Sequence, residues 1–375
     1  MSEPARSRIF INAMNSLQGG GQTYLRHLIH DVPQAEVYVA APQALVREIS
    51  TLPYVHFLNA ERWNSGFIHR TLWENLILPV WIRKLKIDVY FSAGGLLPFR
   101  RLPCKTVVAF RNMLPFSAEN RRKFPLGFKR FRYALLKWGL SRAFKTADAI
   151  IFISHFAKQV IDHELPKRRG ISQVIYHGVG ENYRRTQSLN RPTDLPFEYV
   201  LYVSILNVYK AQLEVVEAWS ELRKCRSTQE KLVFVGPEYG PYAEKVRARI
   251  SELKLDNEIL LLGPVDYQKL PAYYHHAKIN IFASTCENCP NILLEALASE
   301  TPVLCSNVEP MPEIAEKAAI YFSPQKPQEL SAALMKVLDD DQLRRQLASL
   351  AAQRAKKFSW DNTRMETWNL LKAVI

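Results

Sequence analysis

The sequence predicts an α/β protein of two doubly wound domains, each a parallel sheet with helices on both faces. Three observations predict it. Short, almost continuously apolar runs rich in Val and Ile recur along the chain, as in strands buried on both faces. Helix-length segments alternate with them, which is the grammar of βαβ units. Both halves of the 375 residues open the same way, with "RIFINAM" (8–14) and "EYVLYVSIL" (198–206), in a chain long enough for two cores.

Taken in order, the first half continues with "AEVYVAAP", "DVYFSAGG", "KTVVAF", "DAIIFIS" and "SQVIYHGV". The second continues with "KLVFVG", "EILLLG", "INIFAST", "TPVLCSN" and "AAIYFS". Segments such as "QTYLRHLIHDV", "YAEKVRARISELKL" and "PNILLEALAS" lie between them and read as helices. The polar stretch 184–198, with two prolines, is the expected linker. The expected domains are therefore 1–185 and 186–359. Ligands bind beyond the carboxyl ends of the strands in such sheets, so two domains facing each other across a cleft would share a site.

Composition narrows the classes. Apolar residues make up 47% and aromatic residues 11%, enough for large cores and against disorder. No run approaches the apolar length of a membrane span, and the N-terminus lacks the pattern of a signal peptide. Five scattered cysteines suit a reducing cytoplasm better than a disulfide framework. The net charge of +14 is uneven. Residues 1–187 carry 28 Lys and Arg against 12 Asp and Glu, while residues 188–375 carry 22 against 24. The basic half should face something anionic: lipid head groups, nucleic acid or a phosphorylated acceptor.

Three loops after strand-like runs carry candidate chemistry. Gly19, Gly20 and Gly21 let backbone approach a ligand just before a helix begins, which suits a phosphate as well as a tight turn. The dinucleotide fingerprint GxGxxG is absent. Lys210 follows a buried strand, where it either pairs with a diphosphate or is a solvated surface lysine. In "TCENCPNILLEALAS" (285–299), Pro290 suits a first helical turn. Glu287 then lies in the loop before the helix, and Glu295 inside it points back toward the same end. The amides of Asn291, Ile292 and Leu293 would offer an anion site at the helix start. Carboxylates accept bonds from sugar hydroxyls, so one segment could hold both parts of a nucleotide sugar. Cys286 and Cys289 have a zinc-like spacing, but no second Cys/His pair follows at the distance a four-ligand site needs, so no metal is expected.

Glu287 and Glu295, separated by seven residues and followed by "ALASETPVLCSN", resemble the E-x7-E motif of family 4 glycosyltransferases. The likeness continues through 260–284, 312–324, 153–180 and the glycine loop. It implies a GT-B fold and a retaining transferase that uses a nucleoside-diphosphate sugar without metal or other cofactor. By this resemblance Glu295 binds the donor ribose and Glu287 sits beside the donor sugar. Asn291, Ile292 and Leu293 contact diphosphate or sugar, Lys210 neutralises the departing diphosphate, and glycines 19–21 approach the donor from the other domain. The last segment, about 360–375, resembles a helix that crosses back to the N-terminal domain. Two departures from the pattern matter. Ile205 and Leu206 stand where many members have an arginine, and Arg111 stands where many have a histidine. Arg111 is expected to contact the donor sugar or a phosphate.

The stretch 120–147 holds nine Lys or Arg and no acid, interleaved with Phe124, Phe128, Phe131, Leu135, Trp138 and Leu140. Such an amphipathic basic helix suits an anionic membrane face, with Lys129, Arg130, Arg132 and Trp138 as contacts. A solvated helix with an apolar core face, or a single-strand nucleic-acid surface, are the alternatives. The expected function is transfer of a sugar to a lipid-linked or phosphorylated glycan acceptor, as in cell-surface polysaccharide or lipopolysaccharide assembly. The expected place is cytoplasmic, peripheral on the inner face of the membrane, with no nucleic-acid partner. A nucleotide-sugar epimerase on the same fold, or a binding protein that has lost catalysis, are the rival readings.

Overall fold

The computed structural model describes residues 6–15, 20–32, 35–41, 54–184, 189–227, 229–238 and 240–375. The chain forms two compact units: residues 1–116, 131–177 and 360–375 in the first, and residues 117–130 and 178–359 in the second.

The first unit is built on a seven-stranded parallel sheet. Its strands are β1 (Ser7–Asn12), β2 (Ala35–Ala40), β3 (Val55–Phe57), β4 (Val89–Ser92), β5 (Lys105–Phe110), β6 (Ala149–Phe152) and β7 (Ile171–Val174). They lie in the order β3-β2-β1-β4-β5-β6-β7. β1, β4, β5 and β6 are buried along almost their whole length, which explains their unbroken apolarity. The second unit has a six-stranded sheet: β8 (Tyr199–Val203), β9 (Lys231–Val235), β10 (Ile259–Leu261), β11 (Ile279–Phe282), β12 (Val303–Ser306) and β13 (Ala319–Phe322). Its order is β10-β9-β8-β11-β12-β13. In each sheet the first strand lies between strands reached by opposite directions of winding. That reversal opens a crevice beyond the carboxyl ends of β1 and β4 in one unit and of β8 and β11 in the other.

The terminal helix Trp360–Ala373 joins the first unit. Trp368 donates its indole N–H to the Leu28 carbonyl at 2.9 Å, and Tyr24 and Thr367 share a hydrogen bond of 3.3 Å. Trp360 packs edge-on to Tyr24, with ring centroids 6.4 Å apart. Residues 117–130, which the sequence placed with the N-terminal domain, group with the second unit. The reason is polar: Asn120 donates to the Thr285 carbonyl at 3.0 Å, and Lys123 to its hydroxyl at 3.0 Å. Part of the expected linker is packed rather than free. Leu195 is fully buried, and Asp194 accepts from the Tyr273 hydroxyl at 2.7 Å. Residues 185–188 of that stretch lie outside the described residues.

Candidate active site

The crevice between β8 and β11 collects the charged residues singled out in the second half. Lys210 ends a 3-10 turn, Val208–Lys210, that follows β8. Ala211, in the left-handed region at φ 55°, then redirects the chain into the helix Gln212–Cys225. A non-glycine residue held there stores backbone strain, as functional turns often do. The turn is pinned from below. Tyr202 of β8 donates to the Lys210 carbonyl at 2.6 Å. Gln212 donates to the Ser204 hydroxyl at 2.7 Å and the Ile205 carbonyl at 2.9 Å. Gly236, at φ +145°, lies so close that a Cβ there would sit 2.1 Å from the Ser204 carbonyl oxygen.

The loop after β11 is fastened to that turn. The Thr285 amide donates to the Tyr209 carbonyl at 2.7 Å. This bond sets Glu287 beside Lys210, and the two form an ion pair with both side chains largely buried. Ser284 donates to the same Glu287 oxygen at 2.6 Å. Lys210 is thus a buried, paired cation 5% exposed, and not the solvated surface lysine that the sequence left open.

The helix Asn291–Ala298 starts with Pro290 at its N-cap, one residue after the expected helix start at Pro290. The Leu293 amide already donates to the Pro290 carbonyl at 3.0 Å. Of the three amides expected to bind an anion, Leu293 is therefore engaged within its own first turn, and Asn291 and Ile292 head the helix. Glu295 is buried inside it. Its carboxylate accepts from the Tyr274 hydroxyl at 3.2 Å and from Tyr267 at 3.5 Å. Burial pushes this carboxyl up to about 7, and the two tyrosine bonds offset only part of that. Tyr183 packs on both tyrosines, with centroids 5.7 and 5.8 Å away. Sequence reasoning missed these aromatic partners. The signal available was Tyr274 in "PAYYHH" and Tyr267 shortly before it, which by themselves read as core.

Cys286 and Cys289 are both buried. Burial first, and the Glu287 charge next, push the Cys286 thiol up to about 12. It behaves as a packed apolar residue. Among the described residues no group of three His, Cys, Asp or Glu is placed to hold a metal ion.

In the first unit, Gly20 and Gly21 open the helix Gly20–Ile29, and Gly19 lies outside the described residues. Arg111, just past β5, donates to the Gly20 carbonyl at 2.6 Å. Its guanidinium lies 4.9 Å above the Tyr24 ring. Arg111 therefore braces the start of this helix at Gly20, a contact the sequence did not suggest. A second polar group missed by sequence reasoning sits in the β1/β4 crevice. Asn12 donates to Glu74 at 3.0 Å and to the Tyr90 hydroxyl at 2.8 Å. Burial raises the Glu74 carboxyl to about 7, against the Asn12 bond and the nearby Arg70 charge.

The basic stretch forms the helix Phe128–Thr146. The helix buries Leu140, Ala143 and Phe144, and Phe124 before it is buried, but Phe128, Phe131, Leu135 and Trp138 are exposed, so these four apolar residues are not part of a core face. Lys129 and Arg132 are exposed as well. Arg130 instead turns back on its own chain, donating to the carbonyls of Phe124 at 2.7 Å and Arg122 at 2.5 Å.

Two Rossmann-like sheets, with a Lys–Glu pair and a buried glutamate at the carboxyl end of the second, define the class of GT-B glycosyltransferases. The family models agree: "Glycosyltransferase Family 4" matches residues 18–182 and "Glycosyl transferases group 1" residues 186–354. The chain belongs to glycosyltransferase family 4. It is 26% identical over 277 residues to the serotype-specific mannosyltransferase WbdA of Escherichia coli, a match covering 71% of this chain. The match covers 33% of WbdA, so the chain spans only part of that relative. In fold it is similar to Anabaena Alr3699/HepE in complex with UDP-glucose, with a TM-score of 0.74 at 16% identity over 98% of this chain and 99% of that one. It is also similar to WaaG, a glycosyltransferase involved in lipopolysaccharide biosynthesis, with a TM-score of 0.72 at 13% identity over 97% of this chain and 99% of that one.

Proposed function

We propose that this protein is a retaining hexosyltransferase that moves a sugar from a nucleoside-diphosphate sugar to a glycan acceptor, without a metal ion. The observation that carries the reading is the crevice at β8 and β11. One short stretch of fold there holds a buried cation, its paired carboxylate, a helix start and a second carboxylate lined by tyrosines. In this reading Glu295 accepts two bonds from the donor ribose, and Tyr183, Tyr267 and Tyr274 form the apolar wall that keeps the carboxylate in place. Lys210 and the helix start at Asn291 and Ile292 face the diphosphate. As the anomeric carbon–oxygen bond breaks, charge develops on the diphosphate oxygen, where a fixed cation and amide dipoles act most strongly. The acceptor oxygen bonds to the same face of the sugar, and its proton passes to the departing phosphate. Glu287 holds Lys210 in position and lies beside the sugar. In the first unit, Arg111 holds the helix start through the Gly20 carbonyl, which makes it a positioning residue.

The mannosyltransferase relative and the basic first half support an acceptor that is lipid-linked or phosphorylated, in polysaccharide or lipopolysaccharide assembly. Among the described residues no helix is long and apolar enough to cross a membrane. We assign peripheral contact with the cytoplasmic face to the region 120–147. The first test is thermal unfolding against UDP, GDP, dTDP and CDP, with and without Mg²⁺. Ligand at a hundred times its dissociation constant adds about 2.7 kcal/mol, a shift of several degrees at roughly 2–4 °C per kcal/mol. A selective, metal-independent shift supports the transferase. No shift with any diphosphate would instead favour a binding protein without catalysis.

A further inference from the structure

The first unit has a second feature, at the opposite end of its sheet from the carboxyl-end crevice. A cavity of about 560 Å³ opens where β5, β6 and β7 begin, with Thr106, Asp148 and Gly170 in its wall. Its other lining residues include Arg100, Arg101, Arg142, Lys145 and Arg169. Asp148, the one acid in the lining, is committed to the sheet. It accepts from the Thr106 amide at 2.8 Å and hydroxyl at 3.0 Å, with Lys105 at 3.9 Å. Arg142 fixes the cavity wall by donating to the carbonyls of Leu97 at 2.7 Å and Phe99 at 3.2 Å. Arg100, Arg101, Lys145 and Arg169 have no acidic partner among the described residues. The result is a concave, strongly positive surface that the donor site does not use.

What lies beside the cavity indicates the ligand. On the helix Phe128–Thr146, residues 131, 135, 138, 142 and 145 fall on one face by their three- and four-residue spacing. Phe131, Leu135 and Trp138 on that face are 60%, 42% and 57% exposed, and Arg142 and Lys145 continue it into the cavity. Phe99, in the cavity lining and 57% exposed, packs on Trp138 with ring centroids 6.0 Å apart. The Phe99 amide in turn donates to Asn75 at 2.6 Å. Asn75 lies on the helical segment 67–84, where Ile68, Leu72, Leu76 and Val80 are exposed at four-residue spacing. A free phosphate would need the cations alone. Exposed aromatics beside a cluster of unpaired cations match the layered chemistry of an anionic bilayer, where apolar side chains enter the acyl boundary and cations meet phosphate.

We propose that this cavity binds the phosphate headgroup of an anionic lipid, while Phe99, Phe131, Leu135 and Trp138 enter the adjoining apolar layer. The proposal rests on the reading of 120–147 as a membrane contact, and it moves the charged contacts from Lys129, Arg130 and Arg132 to the cavity cations. The test is co-sedimentation of the full chain with vesicles of phosphatidylcholine, with and without phosphatidylglycerol. Two variants are compared: Arg100→Gln/Arg101→Gln/Lys145→Gln, and a control of equal charge change at the exposed positions Lys245→Gln/Lys317→Gln/Arg345→Gln. At about fivefold per cation near an anionic surface, the cavity variant should bind phosphatidylglycerol vesicles roughly a hundredfold more weakly, and the control should bind like the wild type. Unchanged thermal unfolding would show that both variants fold. Wild-type protein that ignores anionic vesicles would overturn both this proposal and the membrane contact. Equal binding by the two variants would overturn the cavity alone and leave the membrane contact standing. A thermal shift with sn-glycerol 3-phosphate that the cavity variant loses, without vesicle binding, would overturn the lipid in favour of a soluble phosphorylated ligand.

Discussion

Replacing Glu295 by Gln should make the protein more stable and a poorer binder of its donor, with a stability gain that grows as pH rises from about 4.5 and is complete above about 7. The carboxyl is raised from 4.5 to about 7 by burial. Between those values the native state holds a proton that the unfolded chain has released, so stability falls as pH rises through the window. Below about pH 4 both states are protonated and burial of the charge costs nothing. Above about pH 7 the native state carries a buried charge, and a shift of 2.5 units corresponds to about 3 kcal/mol. Glutamine keeps the shape and can still accept from Tyr274, while its amide can donate to a tyrosine oxygen, so most of that penalty should be recovered. Near pH 8 this raises the unfolding midpoint by roughly 6–12 °C, at about 2–4 °C per kcal/mol. The gain should shrink to almost nothing near pH 4. Thermal unfolding of both proteins across this range, paired with titration of the nucleoside diphosphate, measures the two effects together. A pH-independent change in midpoint would refute the buried-charge argument. Unaltered diphosphate affinity would remove Glu295 from the donor site.

Lys210→Met should cut turnover by about 10²–10³-fold, the usual scale for losing one group at a developing charge. It should also destabilise by about 3–5 kcal/mol, because Glu287 is left buried without its cation. Adding Glu287→Gln should restore much of the midpoint but none of the turnover, and restored turnover would place the diphosphate elsewhere. Arg111→Ala should release the Gly20 carbonyl at a cost of about 1–3 kcal/mol. Faster amide exchange across residues 20–25 is the readout, and unchanged exchange would end the bracing role. Gly236→Ala combines a positive φ with a Cβ 2.1 Å from backbone. It should lower stability by about 3 kcal/mol or more and loosen the Lys210 turn, seen as a lost diphosphate shift in any protein that still folds.

The strands were legible because parallel strands buried on both faces read as apolar runs. All six runs quoted from the second half contain a strand of its sheet. β3 was not legible: it is three residues long at a sheet edge, with too little pattern to separate it from a loop. The E-x7-E stretch was legible because loop and helix are adjacent in sequence. Its partners were not. Lys210 is 77 residues from Glu287, and Tyr267 and Tyr274 come from another segment altogether. In the basic stretch, charge and apolar residues could be counted, but the count does not say that Phe131 and Trp138 face solvent or that Arg130 folds back on its own loop.

By itself, then, the sequence determined the local properties: strand and helix identity, the two-domain division in outline, the family motif and the charge asymmetry. These depend on residues within a few turns of one another. Tertiary structure alone decided which distant groups became neighbours and how far each was taken from water. The order β8-β11 turned a lysine and a glutamate into a pair. Burial among tyrosines moved a glutamate to about 7. The packing of three chain segments at the sheet's amino end made a cavity out of scattered arginines. The physical reason is that solvation and Coulomb energies depend on distance in space, which a parallel sheet sets by strand order and not by sequence separation.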